Sequence, residues 1–294
     1  HIGLAPWLCE RWSTPEHESG LWIRATDYYA ARVGSRTTTG FGGEGAARFF
    51  ASHGLTDPES VAKIRARSGY YSGMVPDVPG SFRRLQEGTV LRIGGHEWRC
   101  IAGYGHAPEH MALYCASLGV LVSGDMMLPR ISTNISVHES EPESNPLAAF
   151  LSSIERFREL PADTLTLPAH GKPFTGLHTR IDQLQGHHGD RLAEVLEACA
   201  QSPSTAAEML PVLFKRPLDL HQTTFAMGES VAHLHALWHA GRLRRQKDAQ
   251  GVWGFAAATL GVLVFAFDVP LDLPARVFPW LAALAVVPTV MRHG

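Results

Sequence analysis

The chain has 294 residues, of which 45% are hydrophobic and 18% are charged, and its formal net charge is −2. This composition is sufficient for a large hydrophobic core and excludes bulk disorder. The small net charge argues against general binding to nucleic acid or to an anionic membrane. The four cysteines include no CxxC pair, which indicates reduced thiols in a cytoplasmic protein rather than a disulfide framework.

Strand and helix signals are interleaved through the first 177 residues, which predicts a mixed α/β fold of packed sheets covered by helices. The turn residues mark the element boundaries, because Asp or Asn followed by Pro caps and starts a helix and Gly-Gly closes a β-hairpin. The predicted elements are a strand at 21–23, a helix near 26–33, a loop at 34–45, a helix from Asp57-Pro58, strands at 89–93, 97–102, 111–115 and 119–123, a helix from Asn145-Pro146 and a strand at 164–167.

The pattern changes after residue 177. Apolar residues at helical spacing predict three helical segments, and the stretch RLRRQKDAQGVWGF then predicts two strands around a turn. Three helices followed by a hairpin is the order of a winged-helix module. The sequence therefore predicts three parts, which are an α/β domain at 1–177, a winged-helix domain at 178–255 and an apolar tail at 256–294.

The tail contains two apolar runs, at 255–267 and 277–290, separated by charged residues and prolines. Each run is shorter than the roughly 20 residues that span a bilayer as a helix. Three interpretations remain open, which are a hairpin that dips into a membrane, a docked helix pair and a stretch appended by a reading-frame error.

Three short stretches place a metal-binding type of residue on a tight turn directly after a predicted strand. They are GYGHAPEH around His106, LVSGDMM around Asp125 and LPAHGKPF around His170. A side chain in this position points into a cleft while the sheet fixes its backbone. One such residue is most often a cap or a surface residue, but three in this order indicate a common site.

These stretches resemble the metal-binding loops of metallo-β-lactamase-fold hydrolases. In that family an early His-x-His-x-Asp-His motif is followed by loops that supply a His, a bridging Asp and a final His. GHAPEH matches the third-histidine loop at His106, SGD matches the bridging aspartate at Asp125, and PAHG matches the last ligand at His170. His1, followed by Ile-Gly-Leu, matches the last histidine of the early motif.

The resemblance covers about residues 1–255 and implies an αββα sandwich, incomplete at its N-terminus, followed by a winged-helix domain. It also implies two zinc ions in the intact protein. His1, Asp125 and His170 would bind one metal, and His106 with the shared Asp125 would bind the other. Because the rest of the early motif is missing, we expect a truncated chain that binds fewer than two metals and is inactive as given.

The resemblance implies a metallohydrolase that uses a hydroxide activated by two zinc ions to cleave a small thioester, ester or lactone. One alternative is a ribonuclease of the same fold, which would bind RNA through a basic cluster on the predicted wing (Arg242, Arg244, Arg245 and Lys247). The other is a degenerate protein kept for binding or for membrane attachment through residues 256–294. The oligomeric state is not predicted.

Several further residues could have either a functional or a structural role. Within the long loop after Asp125, Arg130 could contact an anionic substrate group and His138 could donate a proton. A structural role as a brace is the favoured interpretation of Arg130. His110 is interpreted as a packing residue, His187-His188 as a solvated pair and His235 as a core histidine. The basic cluster is interpreted as an exposed, charged hairpin edge.

Overall fold

The computed structural model describes residues 2–258, in which helices and strands are mixed as predicted. The α-helices of this range are α1 (Ala5–Trp12), α2 (Ala25–Gly34), α3 (Gly43–Ala51), α4 (Pro58–Ala66), α5 (Tyr70–Met74), α6 (Pro146–Glu155), α7 (Leu177–Gln201), α8 (Leu210–Leu213) and α9 (Leu220–His239). The strands are β1 (Trp22–Ile23), β2 (Arg83–Arg84), β3 (Val90–Ile93), β4 (His96–Gly103), β5 (His110–Cys115), β6 (Val120–Gly124), β7 (Leu165–Pro168), β8 (Leu243–Lys247) and β9 (Trp253–Ala257).

The largest sheet of the described range has five strands in the order β3-β4-β5-β6-β7. Strands β3 to β6 are antiparallel to their neighbours, whereas β6 and β7 are parallel. Strands β4, β6 and β7 therefore run in the same direction, and their carboxyl ends lie at one edge of the sheet. The loops that follow these three strands carry His106, Asp125 and His170.

The predicted starts of two helices are confirmed by their caps. Asp57 accepts a hydrogen bond from the backbone N–H of Ser60 (2.8 Å), and Asn145 accepts one from the backbone N–H of Ala148 (3.4 Å). In each helix the following proline occupies the first turn, where its missing N–H is not needed. These caps determine where α4 and α6 begin.

One hydrophobic cluster of buried residues extends from α3 to β9. Helix α6 contributes the stripe predicted from its spacing, with Leu147, Phe150 and Ile154 fully buried. Helices α7 and α9 and strand β9 contribute to the same cluster, for example through Phe255. The predicted boundary at 177/178 lies at the start of α7 and stays a prediction.

The elements after residue 177 follow the predicted order of three helices and a hairpin, with β8 and β9 paired antiparallel. The winged-helix interpretation stays a prediction. Of the tail at 256–294, residues 259–294 lie outside the described residues. None of the helices between residues 2 and 258 has both the length and the apolar composition needed to cross a membrane.

The interpretation of His187-His188 as a solvated pair is wrong for His188. This residue is 0% exposed, and its Nδ1 lies 3.4 Å from Nε2 of the buried His233. The reason is its position in α7, because it continues the apolar stripe formed by Ile181, Leu184 and Val195. His235 is also 0% exposed, as its place on the apolar face of α9 predicted.

The interpretation of the basic cluster as an exposed edge is wrong for Arg245. Its guanidinium carbon lies 3.6 Å from the ring centroid of Trp238 and 4.4 Å from that of Trp253, and it forms an ion pair with Glu143. Arg244, the next residue on β8, is exposed. Arg245 therefore joins α9, β9 and the loop before α6.

We expect Arg245→Ala to lower the free energy of unfolding by about 2 kcal/mol, because it removes two cation–π contacts and the packing of the side-chain stem. The matched control is Arg244→Ala, which changes the exposed neighbour on the same strand and should cost less than about 0.5 kcal/mol. Urea denaturation of the two variants measures both values. Equal losses would contradict the role assigned to Arg245.

Candidate metal centre

The three predicted ligands each lie beside a glycine with positive φ. These glycines are Gly105 (φ +102°), Gly124 (φ +54°) and Gly171 (φ +88°). At Gly124 the space that a side chain would occupy is filled by the ring of His110, whose Nε2 lies 2.2 Å from the position of a Cβ atom built on that backbone. The chain can therefore turn sharply beside Asp125 while His110 packs against the turn.

The structure brings His106, Asp125 and His170 together. Nε2 of His106 lies 3.5 Å from Oδ2 of Asp125, and Nε2 of His170 lies 3.4 Å from Oδ1 of the same carboxylate. The Asp125 side chain is 9% exposed, whereas that of His170 is 60% exposed. Asp125 thus lies at the base of the site between two imidazoles, with His170 at its solvent side.

The hydrogen bonds around these residues fix their orientation. Nδ1 of His106 lies 2.9 Å from the backbone carbonyl oxygen of Asn134, and the hydroxyl of Thr133 donates to the backbone carbonyl of Asp125. Since a carbonyl only accepts, Nδ1 of His106 must carry the proton. In the neutral ring, the lone pair of Nε2 therefore faces the Asp125 carboxylate.

The electrostatic interaction between His106 and Asp125 favours a positive charge between the two side chains. Burial opposes the charged form of His106, but hydrogen bonds to Asp125 and to the Asn134 carbonyl raise the pKa of His106 above its ordinary value of 6.5. Burial also opposes the charge of Asp125, but His106 and then His170 lower the pKa of its carboxyl. A nitrogen lone pair and an ionised carboxylate that face each other are a suitable donor set for a divalent cation.

The described residues supply only part of a metal site. Across residues 2–258, no three His, Cys, Asp or Glu side chains are grouped so that they could hold one metal ion together. His1, the fourth predicted ligand, lies outside the described residues. The assignment of His1, His106, Asp125 and His170 as ligands stays a prediction.

A second group of charged residues, which sequence reasoning missed, holds the His106 loop from the side of α2. Arg24 forms a bidentate ion pair with Glu109, with N···O distances of 2.9 and 3.1 Å, and Asp27 accepts a hydrogen bond from the backbone N–H of Glu109. Burial raises the pKa of the Asp27 carboxyl. The only sequence signal for Asp27 was an acidic residue in the first turn of a helix, which is too common to indicate a site.

The structure places the two predicted substrate-binding residues differently. Arg130 is exposed and follows Pro129, which packs against Gly171 beside His170. The ring of His138 packs against Phe41, with ring centroids 5.0 Å apart, and burial lowers the pKa of His138. Arg130 therefore lies near the His170 loop, whereas His138 packs on the loop that precedes α3. Their roles in substrate binding stay predictions.

His110 is the first residue of β5, the strand that follows the His106 loop, and its ring faces Gly124. Burial lowers the pKa of His110 to about 4, with a further contribution from His106. A neutral ring packed against a glycine agrees with the interpretation of His110 as a packing residue.

The chain belongs to the metallo-β-lactamase superfamily. The model of that family, Metallo-beta-lactamase superfamily, matches residues 1–170, and a second model, Metallo-beta-lactamase-like, C-terminal domain, matches residues 192–258. The fold is accordingly the mixed α/β sandwich of this superfamily. The first match contains all the predicted ligands, and the second contains α8, α9 and the hairpin.

The chain is similar to a beta-lactamase domain protein from Burkholderia ambifaria of known crystal structure, and the two sequences are 49% identical. That comparison has a TM-score of 0.81 and covers 88% of this chain and 72% of the other. The chain is also similar to the probable metallo-hydrolase YqjP of Bacillus subtilis, with 26% identity over 53% of this chain and 49% of that protein. A hydroxyacylglutathione hydrolase of a Chelativorans species is 28% identical over 32% of this chain and 34% of that enzyme. The chain thus spans about half, or less, of the length of the curated relatives it matches.

Proposed function

We propose that the protein is a zinc-dependent hydrolase that acts on a small thioester, ester or lactone. The observation that carries this proposal is the approach of the two ring nitrogens to one carboxylate, with Nε2 of His106 3.5 Å from Oδ2 of Asp125 and Nε2 of His170 3.4 Å from Oδ1. The similarity to a hydroxyacylglutathione hydrolase supports a thioester substrate such as an acyl-glutathione. The thiols of Cys9, Cys100, Cys115 and Cys199, which form no disulfide within the described residues, support a cytoplasmic location.

The residues of the chain have separate roles in this proposal. His106 and His170 donate ring nitrogens, Asp125 donates one oxygen toward each, and the Asn134 carbonyl holds His106 in the required tautomer. Bound zinc would lower the pKa of a water molecule and polarise the carbonyl group of the substrate. Arg130, which is exposed and follows the proline that packs against Gly171, would contact an anionic group of the substrate in this proposal.

Metal binding by the 294-residue chain tests this proposal. We expect Zn²⁺ to bind with fewer than two ions per chain, because the described residues provide a partial ligand set. Asp125→Asn and His106→Gln should each weaken binding by at least about 10-fold. His96→Gln, a change on the far end of β4, is the control. The measurements are elemental analysis and calorimetric titration with Zn²⁺.

One outcome would contradict the proposal, and two would contradict the expectation of a partial and inactive site. Unchanged Zn²⁺ affinity in Asp125→Asn and His106→Gln would show that the metal binds elsewhere. Two tightly bound zinc ions per chain would contradict the expectation of a partial site. Hydrolysis of S-acylglutathione should in either case be low for this chain, and rapid turnover would overturn the expectation that it is inactive as given.

The ribonuclease alternative gains no support from the basic cluster, because Arg245 packs between two tryptophans. An RNA-binding role would depend on the exposed Arg242, Arg244 and Lys247. A salt-dependent affinity for single-stranded RNA that is lost in Arg242→Ala/Arg244→Ala would favour that alternative.

A further inference from the structure

Asn134, whose backbone carbonyl accepts a hydrogen bond from Nδ1 of His106, is itself held by helix α9. Its side-chain amide nitrogen donates to Oε2 of Glu229 (3.3 Å), and its amide oxygen accepts a hydrogen bond from the hydroxyl of Ser136 (2.8 Å). Both functional groups of the amide therefore have partners, one on α9 and one in the same loop. The position of the carbonyl that orients His106 depends on these two contacts.

The loop around Asn134 touches α9 at two further points. The backbone N–H of Val137 donates to the carbonyl of Gly228 (3.1 Å). A Cβ atom built on Gly228 would lie 2.6 Å from Cβ of Ser136, so the loop and the helix backbone are in direct contact there. Gly228 and Glu229 thus form a fixed surface on which residues 134–137 rest.

The position of Glu229 is energetically unfavourable for a carboxyl group. Burial raises the pKa of Glu229 from its ordinary value of 4.5 to about 7, and the hydrogen bond from Asn134 only partly offsets this effect. A buried carboxyl group destabilises a fold unless hydrogen bonds or an opposite charge compensate for its lost hydration. The contact that Glu229 makes is with the residue that orients a predicted metal ligand.

We propose that Glu229 is a positioning residue for the metal centre, because it holds Asn134 so that the Asn134 carbonyl keeps the proton of His106 on Nδ1. This inference rests on the proposed function in so far as His106 binds a metal. It assigns part of the site to the segment matched by the C-terminal family model, 95 residues beyond Asn134.

The test compares the ring of His106 in the metal-free wild-type chain and in three metal-free variants. Glu229→Ala removes the acceptor, whereas Glu229→Gln retains a side-chain oxygen that can accept from Asn134. Ser230→Ala is the control, because its hydroxyl is buried on the same helix and has no hydrogen-bond partner within the described residues. The readout is the ¹⁵N spectrum of the His106 ring, assigned with His106→Gln and recorded at a pH above its raised pKa, where the neutral ring reports the tautomer without metal.

We expect the wild-type chain, Glu229→Gln and Ser230→Ala to show His106 protonated on Nδ1, and Glu229→Ala to show a mixture of tautomers. Zn²⁺ affinity should fall about 10-fold in Glu229→Ala and stay within about 3-fold in the other two. Asn134→Ala should give the same loss, and combining it with Glu229→Ala should add nothing further. Asn134→Ala also serves as the second variant if Glu229→Ala does not fold.

An unchanged His106 tautomer in Glu229→Ala and in Asn134→Ala would overturn the proposal. An equal tautomer change in Glu229→Gln and Glu229→Ala would also overturn it, because the glutamine keeps the acceptor. If no form of the chain binds Zn²⁺ but the tautomer changes as expected, the proposed function fails while the positioning role of Glu229 stands.

Discussion

Lowering the pH from 7 to 4 is expected to unfold the protein cooperatively, with a midpoint near pH 5. Four histidines that are 2% exposed or less carry the effect, which are His53, His188, His233 and His235. Burial lowers the pKa of His188 to about 3 and the pKa values of His53, His233 and His235 to about 4. The unfolded chain, with an ordinary histidine pKa of 6.5, therefore binds these protons first.

The sign follows from proton linkage. A histidine with a depressed pKa in the folded state contributes stability that is complete above pH 6.5 and is lost as the pH falls toward the folded pKa. At pH 5 each of the four groups would cost about 2 kcal/mol, and a typical domain has roughly 5–15 kcal/mol of stability in total. Glu229 has the opposite effect, because burial raises its pKa to about 7 and a fall in pH therefore stabilises the folded state at this residue. This gain offsets the loss from only about one of the four histidines.

Circular dichroism between pH 7 and 3 measures this transition. Replacing the contacting pair by His188→Leu/His233→Leu should reduce the loss of stability at pH 5 by about 4 kcal/mol and move the midpoint to lower pH. His17→Gln, at an exposed position, is the control and should leave the midpoint unchanged. A midpoint below pH 4 that is equal in all three proteins would show that the buried histidines do not drive acid unfolding.

Gly105→Ala should destabilise the protein by about 3 kcal/mol or more and reduce Zn²⁺ binding. Gly105 has φ +102°, and a Cβ atom built there would lie 2.3 Å from the carbonyl oxygen of Pro146 and 2.7 Å from Cβ of Phe150. These atoms belong to the capped first turns of α6, which cannot move without disturbing the core. The added methyl group would therefore displace the loop that carries His106.

The matched control is Gly119→Ala. Gly119 also has positive φ (+63°), but no atom lies within 4 Å of the position of its Cβ. This variant should show only the backbone strain, about 1 kcal/mol. Urea denaturation gives both free energies, and titration with Zn²⁺ gives the effect on the site. Similar losses in the two variants would show that strain alone, rather than the contact with α6, determines the cost.

Local signals in the sequence were sufficient to predict the strands of the main sheet, the caps at Asp57 and Asn145, and the place of His106, Asp125 and His170 after three strands. Each of these features depends on residues close together in the chain. The direction of β4, β6 and β7, which brings the three loops to one edge, follows from the pairing of the strands.

The contacts that support the site could not be predicted in the same way. Asn134 contacts His106 through a backbone carbonyl, which any residue type provides, and Glu229 is recognised only when α9 packs against the loop. The burial of His188 could have been predicted from its spacing, because it continues the pattern of Ile181 and Leu184 in α7. Its polar side chain instead favoured the interpretation that it is solvated. Arg245 was misinterpreted since nothing local indicates that Trp238 and Trp253 lie on either side of it.

The close contact between Gly228 and Ser136 limits how sequences of this kind can be recombined. A side chain larger than hydrogen at 228 requires a different residue or a different backbone path at 136, and these positions lie in segments matched by two separate family models. A C-terminal segment grafted from a relative would therefore have to bring its own partner loop with it. The two segments are expected to change together during evolution, as one inherited unit.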